Sequence, residues 1–274
     1  MTTDTTATAH ATRFRQLHET GVLVLPNAWD AASARLIEDA GAQAIATTSA
    51  GLAWSLGHAD GDHLPRELAA DAVRRIVNVV SVPVTADIET GYGETPAELC
   101  STIEAIIGAG AAGINIEDAG APLRETGEQA GRIRTVREAA DATGVPLFVN
   151  ARIDTYLRQV GDPAGRLDET VSRARAYIDA GADGIFVPGL LDAETLRELA
   201  GLLPAPLNVM AGPGAPAVAE LAALGVRRVS VGTAIAQAAY AVARRGAREL
   251  LDGGTYDSLA VGGVDYGELN ALLS

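Results

Sequence analysis

VPVTADIETGYGETPAELCSTIEAIIGAGAAGINIE, residues 82–117, is the stretch that decides the fold, because it contains one complete strand-helix-strand unit. The apolar run Val82–Ala86 is followed by a helical pattern over Pro96–Ala109 and by a second apolar run at Gly113–Glu117. Gly110 stands just after the last apolar turn of the helix, where a left-handed cap usually ends it. Two apolar strands joined by a helix predict parallel pairing in a sheet whose outer face the helix covers.

The same unit recurs along the chain. The sequence contains eight short β-rich apolar runs: Val22–Leu25, Ala44–Thr48, Val82–Ala86, Gly113–Glu117, Leu147–Ala151, Gly184–Pro188, Leu207–Ala211 and Arg228–Gly232. Amphipathic or Ala-rich helical patterns lie between them: Ala31–Ala40, Glu67–Val79, Pro96–Ala109, Leu167–Ala180, Ala193–Gly201 and Ala215–Leu224. Eight such units in 274 residues predict a single α/β domain over residues 1–274, a (β/α)8 TIM barrel.

Both ends of the chain extend beyond what a barrel requires. Residues 1–11 are rich in Thr and Ala and predict a flexible tail, whereas a helix over Thr12–Glu19 could plug the amino end of the barrel. A helix at Ala234–Arg245 is followed by a C-terminal extension over residues 246–274, with a further helical segment. The apolar residues of the extension could pack on the barrel or on a second subunit, and the sequence leaves both open: Leu259, Val261, Leu269, Leu272 and Leu273.

Charge and composition exclude several kinds of partner and chemistry. A net charge of −14 and a pI near 4.7 argue against nucleic acid and against an anionic membrane surface as partners. The sequence contains no run of about 18 apolar residues, so it predicts no membrane span. The single Cys100 excludes an internal disulfide and fits a reducing cytoplasm. All 21 basic residues are Arg, so mechanisms that need a lysine amine, such as a Schiff-base aldolase or a pyridoxal-phosphate enzyme, are excluded.

Three carboxylates mark the ends of two neighbouring strands. Asp87 and Glu89 follow the strand Val82–Ala86, two positions apart and therefore pointing the same way, and Glu117 ends the next strand. Carboxylates gathered at one edge repel each other unless a cation lies among them. Oxygen ligands without a nearby His favour Mg2+, or Mn2+, over Zn2+. The sequence therefore predicts a hard divalent metal site.

The remaining residues at predicted strand ends are those expected to bind substrate. In such barrels the catalytic groups come from the carboxyl ends of strands and the loops after them. The predicted set is Trp29, Ser49, Ala50, Gly51, Arg152 and Asn208. Arg152 is the only cation predicted inside the barrel mouth, where a guanidinium can clamp a substrate carboxylate. The alternative is that Arg152 forms a buried pair with Asp154 or Glu117. Backbone N–H groups of a Ser49–Gly51 turn could bind an anion.

A polar, Gly-containing stretch over residues 119–134 directly follows the strand that ends in Glu117. Its length and composition suit a lid that closes over substrate, and the alternative is an ordinary surface loop. Tyr92 and Arg124 are the candidate proton donors near this mouth.

These residues resemble the isocitrate lyase and phosphoenolpyruvate mutase superfamily. The resemblance runs through nearly the whole barrel, in the stretches Leu25–Arg35, Thr48–Ala53, Ser55–Asp60, Asp87–Gly93, Gly113–Asp118, Asn150–Asp154 and Ala180–Phe186. It implies a Mg2+ ion bound directly by Asp87, with Asp60, Glu89 and Glu117 reaching it largely through water. It also implies that Ser49–Gly51 and Arg152 hold the carboxylate of a 2-oxo acid, and that the chain forms a homo-oligomer, a dimer or tetramer.

The sequence departs from this family in two places. The usual Asp-x-Asp is Asp87-x-Glu89 here, one methylene longer, which a water-bridged ligand can absorb. The Lys-Lys-Cys-Gly-His lid segment of the lyases, whose cysteine donates a proton, has no counterpart, because the chain contains no Lys and the stretch 119–134 contains no Cys. Cleavage of isocitrate or methylisocitrate in the usual way is therefore not expected.

We therefore expect a Mg2+-dependent lyase that acts on a small 2-oxo or 2-hydroxy di- or tricarboxylic acid. C–C cleavage or decarboxylation beside a carbonyl passes through an enolate, which a chelated metal stabilises. Three alternatives stay open at this point: a C–P bond enzyme of the phosphonopyruvate type, a non-catalytic 2-oxo acid binding protein, and an isomerase that holds phosphate at Gly212–Gly214 and Gly232–Thr233.

Overall fold

Strands and helices alternate along the whole chain in the computed structural model, which describes residues 2–260 and 262–274. Met1 of the predicted tail and Val261 of the predicted extension lie outside the described residues. The strands are β1 (Leu23–Leu25), β2 (Asn27–Ala28), β3 (Ile45–Thr47), β4 (Val84–Asp87), β5 (Gly113–Glu117), β6 (Phe148–Arg152), β7 (Gly184–Phe186), β8 (Leu207–Met210) and β9 (Arg228–Ser230). Each of the eight predicted strands is present, with ends within two residues of those predicted.

The helices are α1 (Thr2–Gln16), α2 (Ala31–Asp39), α3 (Ser49–Ser55), α4 (Arg66–Val77), α5 (Pro96–Gly108), α6 (Thr126–Thr143), α7 (Arg166–Asp179), α8 (Ala193–Leu202), α9 (Val218–Ala223), α10 (Ala234–Gly253) and α11 (Tyr266–Leu273). Local sequence explains where they begin. At α5, Pro96 occupies the first turn, the N–H of Glu98 donates to Thr95 Oγ1 at 3.3 Å, and the N–H of Thr95 donates to Glu98 Oε2 at 2.9 Å. This reciprocal cap satisfies N–H groups that the helix itself leaves without partners.

All neighbouring strands pair in parallel in the order β1-β9-β8-β7-β6-β5-β4-β3-β2. β1 pairs only with β9 and β2 only with β3, and the two segments are separated by Pro26. Because Pro has no N–H to donate, the ladder is interrupted there, and β1 and β2 act as two halves of one strand. With β1 and β2 counted as one strand, the nine segments form eight strands of a nearly closed barrel surrounded by helices. This confirms the predicted TIM-barrel fold.

Helix α1 closes the amino end of the barrel. Phe14 is fully buried, and its ring makes an edge contact with Phe148, at the start of β6, with 5.6 Å between ring centroids. The predicted tail over residues 1–11 is instead helical from Thr2. Thr-rich segments have weak helix propensity, but Ala7 and Ala11 pack against the barrel core, and this packing overrides the propensity.

The C-terminal segments leave part of the barrel wall uncovered. Helix α10 continues to Gly253, beyond the predicted end at Arg245, and α11 packs on α2, where the Arg35 Nε–H donates to the Leu272 carbonyl at 2.9 Å. Beside the start of α10, an apolar groove of about 520 Å³ exposes the outer face of β1, and Val24 of this strand is 43% exposed. In the described part of the chain, no helix has the length and apolar character that crossing a membrane demands.

If α1 stabilises the barrel by filling its amino end, Phe14→Ala should lower the free energy of unfolding by about 3–5 kcal/mol, the usual cost of removing a fully buried Phe side chain. Thr12→Ala, on the exposed face of the same helix, should change it by less than about 0.5 kcal/mol. Urea unfolding followed by circular dichroism measures both. A loss below about 1 kcal/mol for Phe14→Ala would show that the plug is dispensable.

Candidate active site

The carboxyl ends of β4, β5 and β6 bring the predicted charged residues to one mouth of the barrel. Asp87, Glu117 and Arg152 are the last residues of these three neighbouring strands. Glu117 pairs in register with Arg152, and Asp87 pairs with Asn115, two residues before Glu117. The parallel pairing therefore places the three side chains on adjacent strands, at the same end of the barrel.

Asp87 is held on two sides by hydroxyl groups of β3 and α3. Its N–H donates to Thr47 Oγ1 at 2.9 Å, and the Ser49 hydroxyl donates to Asp87 Oδ2 at 3.2 Å. Removal from water raises the pKa of Asp87; the Arg152 charge opposes this shift and the Asp60 charge adds to it. Asp87 is thus a positioned carboxylate in negative surroundings.

Glu89 fastens the loop that carries Asp60. Glu89 adopts the left-handed conformation with φ 52°, and its Oε2 accepts the N–H of Gly61 at 2.8 Å and the N–H of Asp62. The Thr90 hydroxyl donates to Asp62 Oδ2 at 2.7 Å, which adds a second tie between the same segments. Asp62 was not predicted to take part; a Gly-Asp turn at the end of a polar loop gives little sequence signal.

The acids around Glu89 strongly disfavour its ionised form. Glu89 is 3% exposed, and its second oxygen, Oε1, is buried without a hydrogen-bond partner. Burial raises the pKa of Glu89 to about 7; the N–H of Asp62 opposes the shift, and the negative charges of Asp62, Asp60 and Asp87 add to it. The predicted acids Asp60, Asp87 and Glu89 therefore lie within electrostatic range of one another.

Arg152 is bound to carboxylates on both sides. Its Nη1 lies 2.5 Å from Glu117 Oε2, and its Nε and Nη2 donate to the two oxygens of Asp154 at 2.7 and 3.0 Å. The pairing with Glu117 and Asp154, which the sequence left as an alternative to substrate binding, is the arrangement observed. Burial raises the pKa of Glu117 to about 8 although Arg152 opposes the shift, because Asp87, Asp154 and Glu89 add negative charge.

A second buried acid supports this pair from behind. Asp118 is fully buried, and its carboxylate accepts the N–H of Asp154 at 3.0 Å, the Tyr177 hydroxyl at 2.8 Å and Arg173 Nη1 at 3.1 Å. Sequence reasoning did not single out Asp118, although strand alternation contains the signal: when Glu117 faces the mouth, the next side chain faces outward. Asp118 thus fixes the backbone of Asp154, and Asp154 orients Arg152.

The acidic residues do not form a ready-made metal cage. Across residues 2–260 and 262–274, no three carboxylate, imidazole or thiolate groups converge on one point closely enough to hold an ion. Glu117 turns to Arg152, and one oxygen of Glu89 is bound to the 61–62 backbone. The donor set still fits a hard cation held by one carboxylate and by water, because it consists of oxygen donors and includes the unpartnered, buried Glu89 Oε1.

Residues 49–51 form the first turn of helix α3 rather than an isolated turn. The Thr48 hydroxyl caps this helix by accepting the N–H of Gly51 at 3.5 Å. Gly51 is needed for close packing, because a Cβ there would lie 2.7 Å from Thr48 Cγ2 and 2.8 Å from Trp29 Cβ. Ser49 thus borders the mouth beside Asp87, and Trp29 lies against the first turn of α3. The binding of substrate by Ser49, Ala50, Gly51 and Trp29 stays a prediction.

The predicted lid is shorter than expected. Helix α6 begins at Thr126, so the second half of the predicted 119–134 loop is helical. Arg124, at the end of the remaining loop, pairs with Glu94 at 2.9 Å and with Glu128 at 2.8 Å. The charge of Arg124 is therefore used to tie the loop to the first turn of α6 and to Glu94, which precedes α5, and a role for Arg124 as proton donor stays a prediction.

Arg132 holds the loop that carries Tyr92. Arg132 is 7% exposed. Its guanidinium donates to the carbonyls of Thr90 and Gly93 at 2.7 Å and of Glu94 at 3.2 Å. Tyr92 has φ 51° and packs against the buried cluster of Ala53, Leu64 and Ala69. Burial and the charge of Glu89 raise the pKa of the Tyr92 hydroxyl well above its ordinary value. Tyr92 is thus a neutral hydroxyl beside the acids.

Asn208 lies deeper in the barrel than the other predicted substrate-binding residues. It is 1% exposed, its Oδ1 accepts from Asn150 Nδ2 at 3.0 Å, and its own Nδ2 donates to the Val209 carbonyl at 2.8 Å. Its amide is therefore engaged inside the barrel, and contact with substrate stays a prediction.

The chain is similar to proteins that share both its length and its fold. An uncharacterized protein of Mycobacterium tuberculosis strain H37Rv is 39% identical over 263 residues, 95% of each chain. The structure of 2,3-dimethylmalate lyase, described as a phosphoenolpyruvate mutase/isocitrate lyase superfamily member, is 30% identical, with a TM-score of 0.84 over 96% of this chain and 94% of that one. Oxaloacetate acetylhydrolase with bound 3,3-difluorooxalacetate is 27% identical, with a TM-score of 0.85 over 96% and 93%.

A sequence profile of the phosphoenolpyruvate phosphomutase family matches residues 14–251, which span the barrel and most of α10. The chain belongs to the phosphoenolpyruvate mutase/isocitrate lyase superfamily. This confirms the resemblance seen in the sequence, and it makes the chain an enzyme of the lyase and mutase class. Within the superfamily barrel, the strand-end residues Asp87, Glu117 and Arg152 occupy the end where TIM-barrel enzymes carry out their chemistry.

The raised pKa of Glu89 predicts how stability depends on pH. A carboxyl whose pKa rises from 4.5 unfolded to about 7 folded stabilises the fold below pH 4.5, and this contribution is lost as the pH rises through 7. Between pH 5 and 8, the metal-free wild type should therefore lose up to about 3 kcal/mol of unfolding free energy relative to Glu89→Gln.

Urea unfolding of both proteins at several pH values measures this difference. Glu138→Gln, which changes an exposed acid on α6, should follow the wild type at every pH. A wild type that gains stability relative to Glu89→Gln as the pH rises would contradict the proposed environment of Glu89.

Proposed function

We propose that this enzyme is a Mg2+-dependent lyase that cleaves or decarboxylates a small 2-oxo or 2-hydroxy di- or tricarboxylic acid, with Mn2+ as an alternative metal. The observation that carries the proposal is the strand-end cluster of Asp87, Glu89 and Glu117, with Asp60 above it and Arg152 beside it. Acids that raise one another's pKa values call for a cation, and an adjacent guanidinium suits a carboxylate ligand.

Asp87 would hold the metal directly, and Asp60, Glu89 and Glu117 would hold its water ligands. The Ser49 hydroxyl keeps Asp87 in place through its 3.2 Å hydrogen bond, and the Gly61 N–H fixes Glu89 while leaving Oε1 available. A bound divalent ion supplies positive charge against the enolate that C–C cleavage or decarboxylation next to a carbonyl creates. The longer Glu89, in place of an aspartate, suits a ligand that acts through water.

Arg152 would bind a substrate carboxylate by exchanging one partner. Asp154 holds the Nε and Nη2 edge of the guanidinium through two hydrogen bonds, whereas Glu117 contacts only Nη1. A substrate carboxylate can therefore replace Glu117 without disturbing the orientation of Arg152. The displaced Glu117 would then be available, with Asp60 and Glu89, to hold the water ligands of a bound ion, so one movement would prepare both halves of the site.

The proton donor differs from that of the lyases, because the loop between β5 and α6 contains neither Cys nor Lys. We propose Tyr92, whose hydroxyl stays protonated beside Glu89 and whose loop is fixed by Arg132. Arg124 is the weaker choice, since Glu94 and Glu128 occupy its guanidinium.

The relatives support the substrate class. The names of 2,3-dimethylmalate lyase and oxaloacetate acetylhydrolase specify small dicarboxylic acids, and both structures superimpose on nearly the whole chain. A second candidate is a C–P bond reaction, which the name of the matching family favours. Phosphoryl transfer usually uses several cations, and Arg152 is already paired with two acids here. We therefore prefer the lyase.

Asp87→Asn should abolish Mn2+ binding and lower turnover by at least about a hundredfold, because it removes the direct metal ligand. Calorimetry measures the binding, and product analysis with oxaloacetate, methylisocitrate, isocitrate and phosphonopyruvate identifies the reaction. Asp141→Asn, an exposed acid on α6, is the matched control and should keep both properties.

Products distinguish the possible outcomes of this screen. Cleavage of a C–C bond supports the lyase, cleavage or transfer at phosphonopyruvate supports the C–P enzyme, and binding without any turnover supports a binding protein. Unchanged Mn2+ affinity in Asp87→Asn would show that the metal site is misplaced.

We also propose that the protein is a homo-oligomer. The groove along β1 and α10 exposes Val24 on the outer side of a barrel strand, a position that helices cover elsewhere in such barrels. The chain has a mass of 28.1 kDa, so light scattering should give about 56 kDa for a dimer or about 112 kDa for a tetramer. A mass of one chain at micromolar concentration would contradict the proposal.

A further inference from the structure

A buried arginine lies inside the barrel, below the proposed metal site. Arg228 is the first residue of β9, is 1% exposed, and pairs in register with Leu23 on one side and Asn208 on the other. Its guanidinium lies 5.5 Å from the ring centroid of Phe14 and 6.0 Å from that of Phe148. The side chain is therefore packed between the α1 plug and the barrel interior.

This guanidinium has few partners. Its Nη2 donates to Asn115 Oδ1 at 3.1 Å, whereas its Nε and Nη1 are buried without a hydrogen-bond partner. Within the described part of the chain, no carboxylate lies at ion-pair distance from it, in contrast to the buried Arg152 and Arg173. An unpaired buried charge is unfavourable by several kcal/mol, so Arg228 lowers stability where an apolar residue would raise it.

A column of amides connects Arg228 to the mouth. The Asn150 amide donates to Asn115 Oδ1 at 2.9 Å and to Asn208 Oδ1 at 3.0 Å, so the three amides form one network above the guanidinium. Asn115 is also the register partner of Asp87, and its carbonyl accepts the N–H of Ile88 at 3.1 Å. Interiors of such barrels are usually filled with branched apolar side chains, so this polar column is unusual.

Arg228 remains a cation, and Asp87 senses it. Burial lowers the pKa of Arg228 to about 9, and the negative charge of Asp87 opposes that shift. At neutral pH the barrel interior therefore carries one positive charge that is not cancelled by an adjacent acid. Because Arg228 is 1% exposed, salt screens its interaction with Asp87 less than it screens a pair of surface charges.

The mouth holds more acids than cations. Asp60, Asp87, Glu89 and Glu117 outnumber Arg152, which also carries Asp154 on its other edge. Without a metal, Glu89 and Glu117 have pKa values of about 7 and 8, and a bound divalent ion would favour their ionised forms while offsetting only part of the charge of the four acids. A substrate with two or three carboxylates would be repelled by the remainder, and a further positive charge within range of the site would reduce that repulsion.

We propose that Arg228 is a positioning residue of the active site, an internal counter-charge that favours the binding of an anionic substrate and opposes excessively tight binding of the metal. The proposal rests on the metal-dependent function proposed above. Arg228 acts through the field in the barrel and through Asn115, without touching the substrate. The structure thus retains an unfavourable buried charge because it balances the acids of the mouth.

This role predicts effects of opposite sign on the two ligands. Replacing Arg228 by an apolar side chain of similar length should tighten Mn2+ binding about tenfold and weaken the binding of a dicarboxylate to the metal-loaded enzyme about tenfold, as expected for one unit charge near the site. It should also raise the melting temperature, because an unpaired buried charge is removed. A variant that is merely damaged would lose affinity for both ligands and melt earlier.

The experiment compares Arg228→Met, Arg228→Lys and Arg227→Met with the wild type. Calorimetry at constant pH gives the affinity for Mn2+ alone and then for oxalate, the dicarboxylate probe, with Mn2+ saturating. Arg228→Lys keeps the charge and should retain wild-type affinities within about threefold. Arg227→Met removes the same charge from the neighbouring exposed residue, whose Nη1 contacts the Gly21 carbonyl, and should change neither affinity.

Tighter Mn2+ binding and weaker oxalate binding in Arg228→Met, with both affinities unchanged in Arg228→Lys, support the proposal. Unchanged affinities in Arg228→Met, or losses of both that Arg228→Lys does not rescue, overturn it. If the wild type binds no Mn2+, the proposed metal-dependent function fails and this inference fails with it. If the wild type binds Mn2+ and Arg228→Met matches it, only the role of Arg228 is refuted.

Discussion

Repulsion among carboxylates at the ends of adjacent parallel strands is the constraint on which the rest of the site depends. The barrel fixes Asp87 and Glu117 on neighbouring strands, so the two residues cannot move apart without breaking the strand register. Glu89 and Asp60 add to the same charge. Each nearby feature, from the Ser49 hydroxyl to the Arg152 guanidinium, offsets part of this repulsion, and the proposed cation would offset the remainder.

The surrounding shell keeps the acids in place in the absence of that cation. Asp118 supports Asp154, and Asp154 orients Arg152, which in turn occupies Glu117. The backbone around residue 61 occupies one oxygen of Glu89. These bonds are specific, and in the proposed mechanism only the Glu117–Arg152 contact is exchanged for a ligand, so the resting arrangement is an ion-paired form of the site.

The sequence predicted the barrel well, because eight apolar runs with helical patterns between them have few other ways to be buried together. Asp87, Glu117 and Arg152 were also predictable, since a polar residue that ends an apolar strand must lie at the rim. The helical start at Thr2 and the early start of α6 were not, because both depend on packing with distant segments.

Other features of the site required three-dimensional contacts. The Arg152 pairing was left as one of two alternatives, because both a substrate and the Glu117 and Asp154 acids satisfy a strand-end guanidinium. The support from Asp118 and the clamp by Arg132 involve bonds across segments that no local pattern reveals. Arg228 lies in a predicted strand, but alternation alone does not show that its neighbours lack a carboxylate.

The most direct test of a metal ion at Asp87 is the anomalous scattering of Mn2+ in crystals grown with MnCl2 and oxalate. If Asp87 holds the metal directly, the map should show one strong peak at about 2.2 Å from a carboxylate oxygen of Asp87, with oxalate between the ion and Arg152. A map with no peak within about 4 Å of Asp87, at Mn2+ concentrations that saturate binding, would contradict it.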